Sequence, residues 1–210
     1  MPRIKTIPID VADASLTGFA SNVTGASFTI STTETSDGLA HQVSIRNDSA
    51  TDHSGKTVTL VGTDADDMAQ TEVVTAPGTS ATVESTKYFK TLTAATPSAT
   101  IGADTFDIGW VDEVASRTVM LNRHAGFGAI NQLDVTGTID VTLQVSLSPR
   151  DNYTGQESMR WVDTTNTALN NATADLVGDI EPQVSAVRLL INSYSSGAEL
   201  QWLISEEQRF

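Results

Sequence analysis

Cysteine is absent from this 210-residue chain. That removes disulfides, thiolate metal sites and cysteine nucleophiles together, and it fits assembly in a reducing cytoplasm. Basic residues are scarce: 12 Lys and Arg stand against 26 Asp and Glu, for a net charge of -14. Nucleic acid and anionic lipid both demand Lys and Arg to displace counterions, so neither is an expected partner. Long apolar runs are also missing. None reaches the ~20 residues of a membrane helix. The opening MPRIKTIPIDVADASL carries charge without a continuous apolar core, unlike a secretory signal. The three histidines, His41, His53 and His124, lie far apart. No P-loop, dinucleotide fingerprint or His/Glu metal helix is present, and no cofactor or metal is expected.

What is there is period-two patterning. Ile139, Val141, Leu143, Val145 and Leu147 alternate with Asp140, Thr142, Gln144, Ser146 and Ser148. A helix would scatter these apolar residues around its circumference, so the segment is a strand with one wet face. Shorter copies recur at Phe28–Ile30, Val43–Ile45, Val58–Leu60, Phe106–Trp110, Val187–Ile191 and Leu200–Ile204. Turn residues separate them at Ser54-Gly55, Asp64 to Asp67, Pro77-Gly78 and Ser195 to Gly197. Many short punctuated strands predict an all-β, antiparallel sandwich of jelly-roll-like kind.

Two local hairpins are expected. One joins 57–63 to 69–75 through Asp64-Ala65-Asp66-Asp67, and the other joins 184–192 to 199–205 through Ser195-Ser196-Gly197. A composition shift between Asp112 and Gly128 suggests two parts: an N-terminal β-region over 1–115, beginning with an extended arm, and a C-terminal β-domain over 116–210. Within the latter, Pro149 to Pro182 lacks alternation. It reads as a long loop, with at most one short helix from the spacing of Leu169, Ala172 and Leu176.

Several polar groups invite chemistry. The Asp64–Asp67 turn offers hard oxygen ligands but lacks the glycine and distal glutamate of a calcium loop, and Asp is itself a common turn residue. Asp48, Asp52 and His53 could do acid–base work, yet no nucleophile elbow accompanies them. Asp112 and Glu113 adjoin Trp110, but neighbouring strand residues face opposite ways, which favours Trp110 as core. Four Asn-X-Ser/Thr triplets, at Asn22, Asn47, Asn152 and Asn171, read as chance matches in a Thr-rich chain. No catalytic residue is assigned. The residues expected to anchor a partner are Tyr153, Met159 and Trp161 on the long loop, and Phe210 at the end of the sequence.

Two segments carry a resemblance. TVTLVGTDAD (57–66), AQTEVVT (69–75) and VESTKYFKTLT (83–93) form the first; VTGTIDVTLQ (135–144) and VSAVRL (184–189) form the second. Together they resemble virion structural proteins encoded in the head-gene regions of tailed bacteriophages. The resemblance implies a non-enzymatic capsid decoration, or cement, protein made in the host bacterial cytoplasm. It would bind the outer surface of the major capsid protein shell as a homotrimer. The alternative is a tail, neck or fibre component, such as a host-recognition module. A wall-degrading enzyme is a third reading, which would need Asp112 or Glu113 as a working carboxylate.

Overall fold

A computed structural model describes residues 3–121, 127–180 and 184–208. The described residues form fifteen strands and no α-helix. In chain order the strands are β1 (Arg3–Asp10), β2 (Ser15–Val23), β3 (Ala40–Asn47), β4 (Thr57–Thr63) and β5 (Ala69–Thr75). β6 (Thr82–Phe89), β7 (Thr91–Pro97), β8 (Phe106–Ala115), β9 (Val119–Met120) and β10 (Phe127–Thr136) follow. The last are β11 (Ile139–Ser146), β12 (Val162–Asp163), β13 (Leu176–Asp179), β14 (Ala186–Tyr194) and β15 (Glu199–Gln208). The chain divides into two compact units. One is residues 12–114; the other joins residues 1–11 to 115–210.

In the 12–114 unit, β2, β8, β3 and β6 lie side by side, while β5, β4 and β7 form a second sheet. Alternation explains the packing. β4 turns Val58 and Leu60 inward, and β3 turns Val43 and Ile45 inward. They meet Phe19, Phe89, Leu92, Phe106 and Ile108 in one core drawn from both sheets. Trp110 joins this core edge-on to Phe19, with ring centroids 5.0 Å apart, and its indole N–H donates to the Asp13 carbonyl. Fully buried aromatic and branched side chains of this kind each contribute about 1.5–3 kcal/mol of transfer free energy. The first expected hairpin forms: Thr57 pairs Thr75 and Thr63 pairs Ala69. Asp64 makes the turn, its Oδ1 accepting from the N–H of Asp66 and of Met68. Phe28 makes only an isolated bridge to Ala95 rather than a strand with Ile30.

The open side of this sandwich is closed by side chains. The Glu72 carboxylate on edge strand β5 accepts from the Thr86 N–H at 2.8 Å and the Lys87 N–H at 3.0 Å, both on edge strand β6. Gln70 donates from the same strand to the Tyr88 carbonyl, and Lys87 returns a bond to the Thr71 carbonyl. Donors that would otherwise invite a foreign strand are thus occupied.

The second unit is also built from two sheets, ordered β1-β15-β10-β13 and β12-β11-β14, with β9 pairing β14. Its first strand corrects the expected N-terminal arm. Ile4 to Asp10 pair antiparallel with Ser205 to Glu199. Pro8 hides the pattern in the sequence, yet a proline is tolerated on an edge strand, and β1 is an edge. The second expected hairpin does not form. β14 pairs with β11 in one sheet, whereas β15 pairs with β10 and β1 in the other. The residues Ser195 to Ala198 therefore carry the chain from sheet to sheet as an arch. Gly137 and Thr138 do the same between β10 and β11. Both strands of an arch turn their apolar faces into one core, which satisfies Val187, Leu189 and Ile191 as well as Leu200, Trp202 and Ile204.

The segment read as a loop is a string of short elements. It contains 3-10 turns at Arg150–Asn152, Gln156–Ser158 and Thr167–Leu169, followed by β13. The helical spacing of Leu169, Ala172 and Leu176 misled: Leu169 is buried under β13, Ala172 bridges Val141, and Leu176 lies in β13 itself. Asn and Thr between them favour local side-chain bonds over a helix; Asn166 caps the last turn by accepting from the Ala168 N–H.

Candidate contact surface

Of the residues expected to anchor a partner, Met159 is 6% exposed. Trp161 is half-buried, its indole N–H donating to the Gln156 carbonyl. The Arg188 guanidinium of β14 lies 4.6 Å from the Trp161 ring centre. The same guanidinium donates to Gln156 Oε1 at 2.7 Å and to Gln144 Oε1 through two nitrogens. Gln156 in turn donates to the Ser116 carbonyl. Arg188 thus clamps the 156–161 segment onto its own sheet; Met159 is buried there, and Trp161 keeps part of its surface exposed. Tyr153 is half-buried, its hydroxyl near that of Thr118. Phe210 lies outside the described residues.

The polar groups singled out in the sequence also hold structure together. Asp48 pairs with Arg46. His53 reaches neither Asp48 nor Asp52 for its main bond but pairs with Asp104. Asp112 accepts from the Ala14 N–H. Glu113 is exposed, and its carboxyl is pushed above the usual range by partial burial and by the nearby charge of Glu84. A second buried pair escaped sequence reasoning: His41 donates toward the Val111 carbonyl at 2.8 Å and faces Asp37 at 2.9 Å. Among the described residues, no three His, Asp or Glu side chains gather as a metal site.

Exposed apolar side chains mark a different surface. In the unit containing β15, Leu200, Trp202 and Ile204 point inward, so Leu203 lies on the opposite face. Register places Leu203 in one row with Thr6, Gln132 and Val177. The next row carries Ile4, Ser205, Ile130 and Asp179. Ile4 is 62% exposed and Val177 63%. The outer face of this four-stranded sheet therefore carries Ile4, Leu203, Ile130 and Val177, one from each strand, among Thr6, Gln132, Ser205 and the Asp179 carboxylate. A shallow groove of about 420 Å³ on the same unit is lined by Leu147, Ser148, Arg160 and Val162.

Charge is unevenly shared. The 12–114 unit holds 14 acidic and four basic residues, net -10; the remainder holds 12 acidic and eight basic, net -4. All four cations of the acidic unit contact acceptors of their own chain: Arg46 on Asp48, Lys90 on Asp67, Lys87 on Thr71 and Lys56 on Thr100. Its outward charge is accordingly anionic.

No protein family and no curated protein matches this chain. Among solved structures, it overlaps slightly with the major capsid protein P2 of Bacteriophage PM2, at 10% identity and a TM-score of 0.22, over 96% of this chain and 97% of that one. An infectious bursal disease virus Gx strain structure overlaps at 13% identity and a TM-score of 0.21, over 100% of this chain and 77% of that one. The VP2 subviral particle of infectious bursal disease virus gives 10% identity and a TM-score of 0.20, over 100% and 77%. Overlaps this slight define neither fold nor role; the fold stands on the strand pairing itself.

Proposed function

We propose that this chain is a non-enzymatic structural subunit of a tailed-phage virion, most specifically a decoration protein on the outside of the capsid shell. It would bind the major capsid protein and further copies of itself, as a homotrimer. The observation that carries the reading is the apolar outer face of the β1-β15-β10-β13 sheet, with Ile4 and Val177 more than half exposed. Contiguous exposed apolar surface rimmed by polar groups is the mark of a protein contact. The anionic 12–114 unit suits a basic protein surface, through which complementary charge would set orientation. The non-enzymatic reading is supported by the engagement of His41, His53, Asp48 and Asp112 in fixed internal bonds.

Purified virions provide the test. Quantitative mass spectrometry is expected to find the chain in proportion to the shell subunit, and antibody labelling is expected over the whole head. Label confined to the tail would replace this reading with a tail, neck or fibre role. The contact face is tested by Val177→Asp together with Ile4→Glu, which should abolish co-sedimentation with empty shells while leaving the fold intact by circular dichroism. Undiminished binding would reject this face as the contact.

A further inference from the structure

His53 is 3% exposed and sits between two opposite charges. Its Nε2 lies 2.9 Å from Asp104 Oδ2, and its Nδ1 lies 3.0 Å from Lys56 Nζ. An ammonium can only donate, so Nδ1 must accept, and Nε2 carries the proton given to the carboxylate. Only the neutral ring fits this arrangement. Lys56 Nζ also donates to the Thr100 carbonyl at 2.7 Å. The Phe106 ring lies edge-on to the imidazole at 5.3 Å and fixes its plane.

The charged groups facing the ring are Asp104 from the segment before β8, Lys56 from the segment before β4, and Asp52 on the ring's own loop. Bonds to Asp104 from Thr51 and His53 hold its carboxyl below the usual range, so it stays charged. A second proton on the ring would turn Nδ1 into a donor facing a donor. The two carboxylates favour that imidazolium, and only Lys56 opposes it. Lys56 is half-exposed on a flexible stem, so it is the group that gives way. Its departure strips the Thr100 carbonyl of its partner. Flanking that residue, the Ser98 N–H donates to Thr57 and the Ile101 N–H donates to Gly25.

We propose that His53 is a pH-operated latch: on acidification Nδ1 takes up a proton and expels the Lys56 ammonium from Thr100. The 98–102 segment loosens while the Asp104 pairing persists. This inference is independent of the virion reading.

Amide hydrogen exchange on the full chain tests it, corrected for intrinsic rates, at about pH 7.5 and about pH 5.5, the span over which histidine changes charge. Protection of the Ser98 and Ile101 amides is expected to fall about tenfold on acidification, as one charge-assisted bond is lost. His53→Gln keeps a donor for Asp104 and an acceptor for Lys56, so its protection should stay high at both values. Lys56→Met should be equally low at both. An unchanged native chain, or the same fall in His53→Gln, would overturn the latch. Should either variant fail to fold, nitrogen-resolved NMR of the native ring decides: the Nε2–H tautomer at the higher pH is expected, and an Nδ1–H tautomer would refute it.

Discussion

The Ser195 N–H donates to the Thr138 carbonyl at 2.8 Å, and the Thr138 N–H donates to Ser195 Oγ at 3.2 Å. These two residues sit at the bends of separate arches, so the bonds weld both sheet crossings of the unit into one corner. Gly137 at the first bend has φ +84, and a Cβ there would lie 3.1 Å from the Ala198 Cα. Gly137→Ala is therefore expected to destabilise the chain by about 1–3 kcal/mol, from left-handed backbone strain and crowding together. Ser195→Ala should cost about 1 kcal/mol, since only the side-chain bond is lost. Urea denaturation midpoints rank the two; a Gly137→Ala protein as stable as the native one would show that the corner relaxes freely.

Arg188 holds the 156–161 segment through one hydrogen bond to Gln156 Oε1 and through the Trp161 ring, while two of its other nitrogens donate to Gln144 on β11. Arg188→Ala should cost about 2 kcal/mol, because partly buried Gln oxygens lose charged donors. Cleavage between 149 and 162 under limited proteolysis should rise, with a change in Trp161 fluorescence. Arg188→Lys should rescue little, as an ammonium cannot make the planar fork.

Glu72 guards the gap between β5 and β6. Glu72→Ala frees the Thr86 and Lys87 N–H groups at a strand edge. The expected result is concentration-dependent association by light scattering, with a small loss of about 1 kcal/mol in the monomer. Glu72→Gln, which retains one acceptor oxygen, should associate less.

Burial pushes the Asp37 carboxyl up, but the bond and charge from His41 and the N–H groups of Ala12 and Leu39 outweigh it and hold it below 3.8. The folded value thus lies below the unfolded one. The resulting stability is present above the unfolded value and is lost as pH falls through the folded value. Asp37→Asn should be about 3 kcal/mol less stable than native at neutral pH, since His41 is left buried beside a neutral group. The difference should shrink as denaturation is measured at progressively lower pH below about 4. A constant difference across that range would show that Asp37 carries no acid-linked stability.

Strands were legible wherever alternation and local turn chemistry agreed. The β4–β5 pair is the example: both arms alternate, and Asp64 supplies its own turn bonds. The same signals around Ser195 to Gly197 describe a hairpin and an arch equally well. What separates them is the pairing of β15 with β10 and β1, which no local pattern encodes. Pro8 masked β1 because a proline argues against a strand until its edge position is known. The apolar outer face was illegible for a related reason. Ile4, Ile130, Leu203 and Val177 come from four distant strands, and only the sheet register sets them together. The contact between Trp161 and Arg188 was equally illegible, because the two lie far apart along the chain.

The pairing of Ile4 with Ser205 ties together residues made at opposite times on the ribosome. The 12–114 unit is continuous in sequence, whereas β1 pairs with a strand that follows it by nearly 190 residues. Pairing across so long a stretch of sequence carries a large loop-closure cost and is intrinsically slow to form. Until it occurs, the edge of β15 stays open to the β1 segment of another copy, the geometry of a strand exchange.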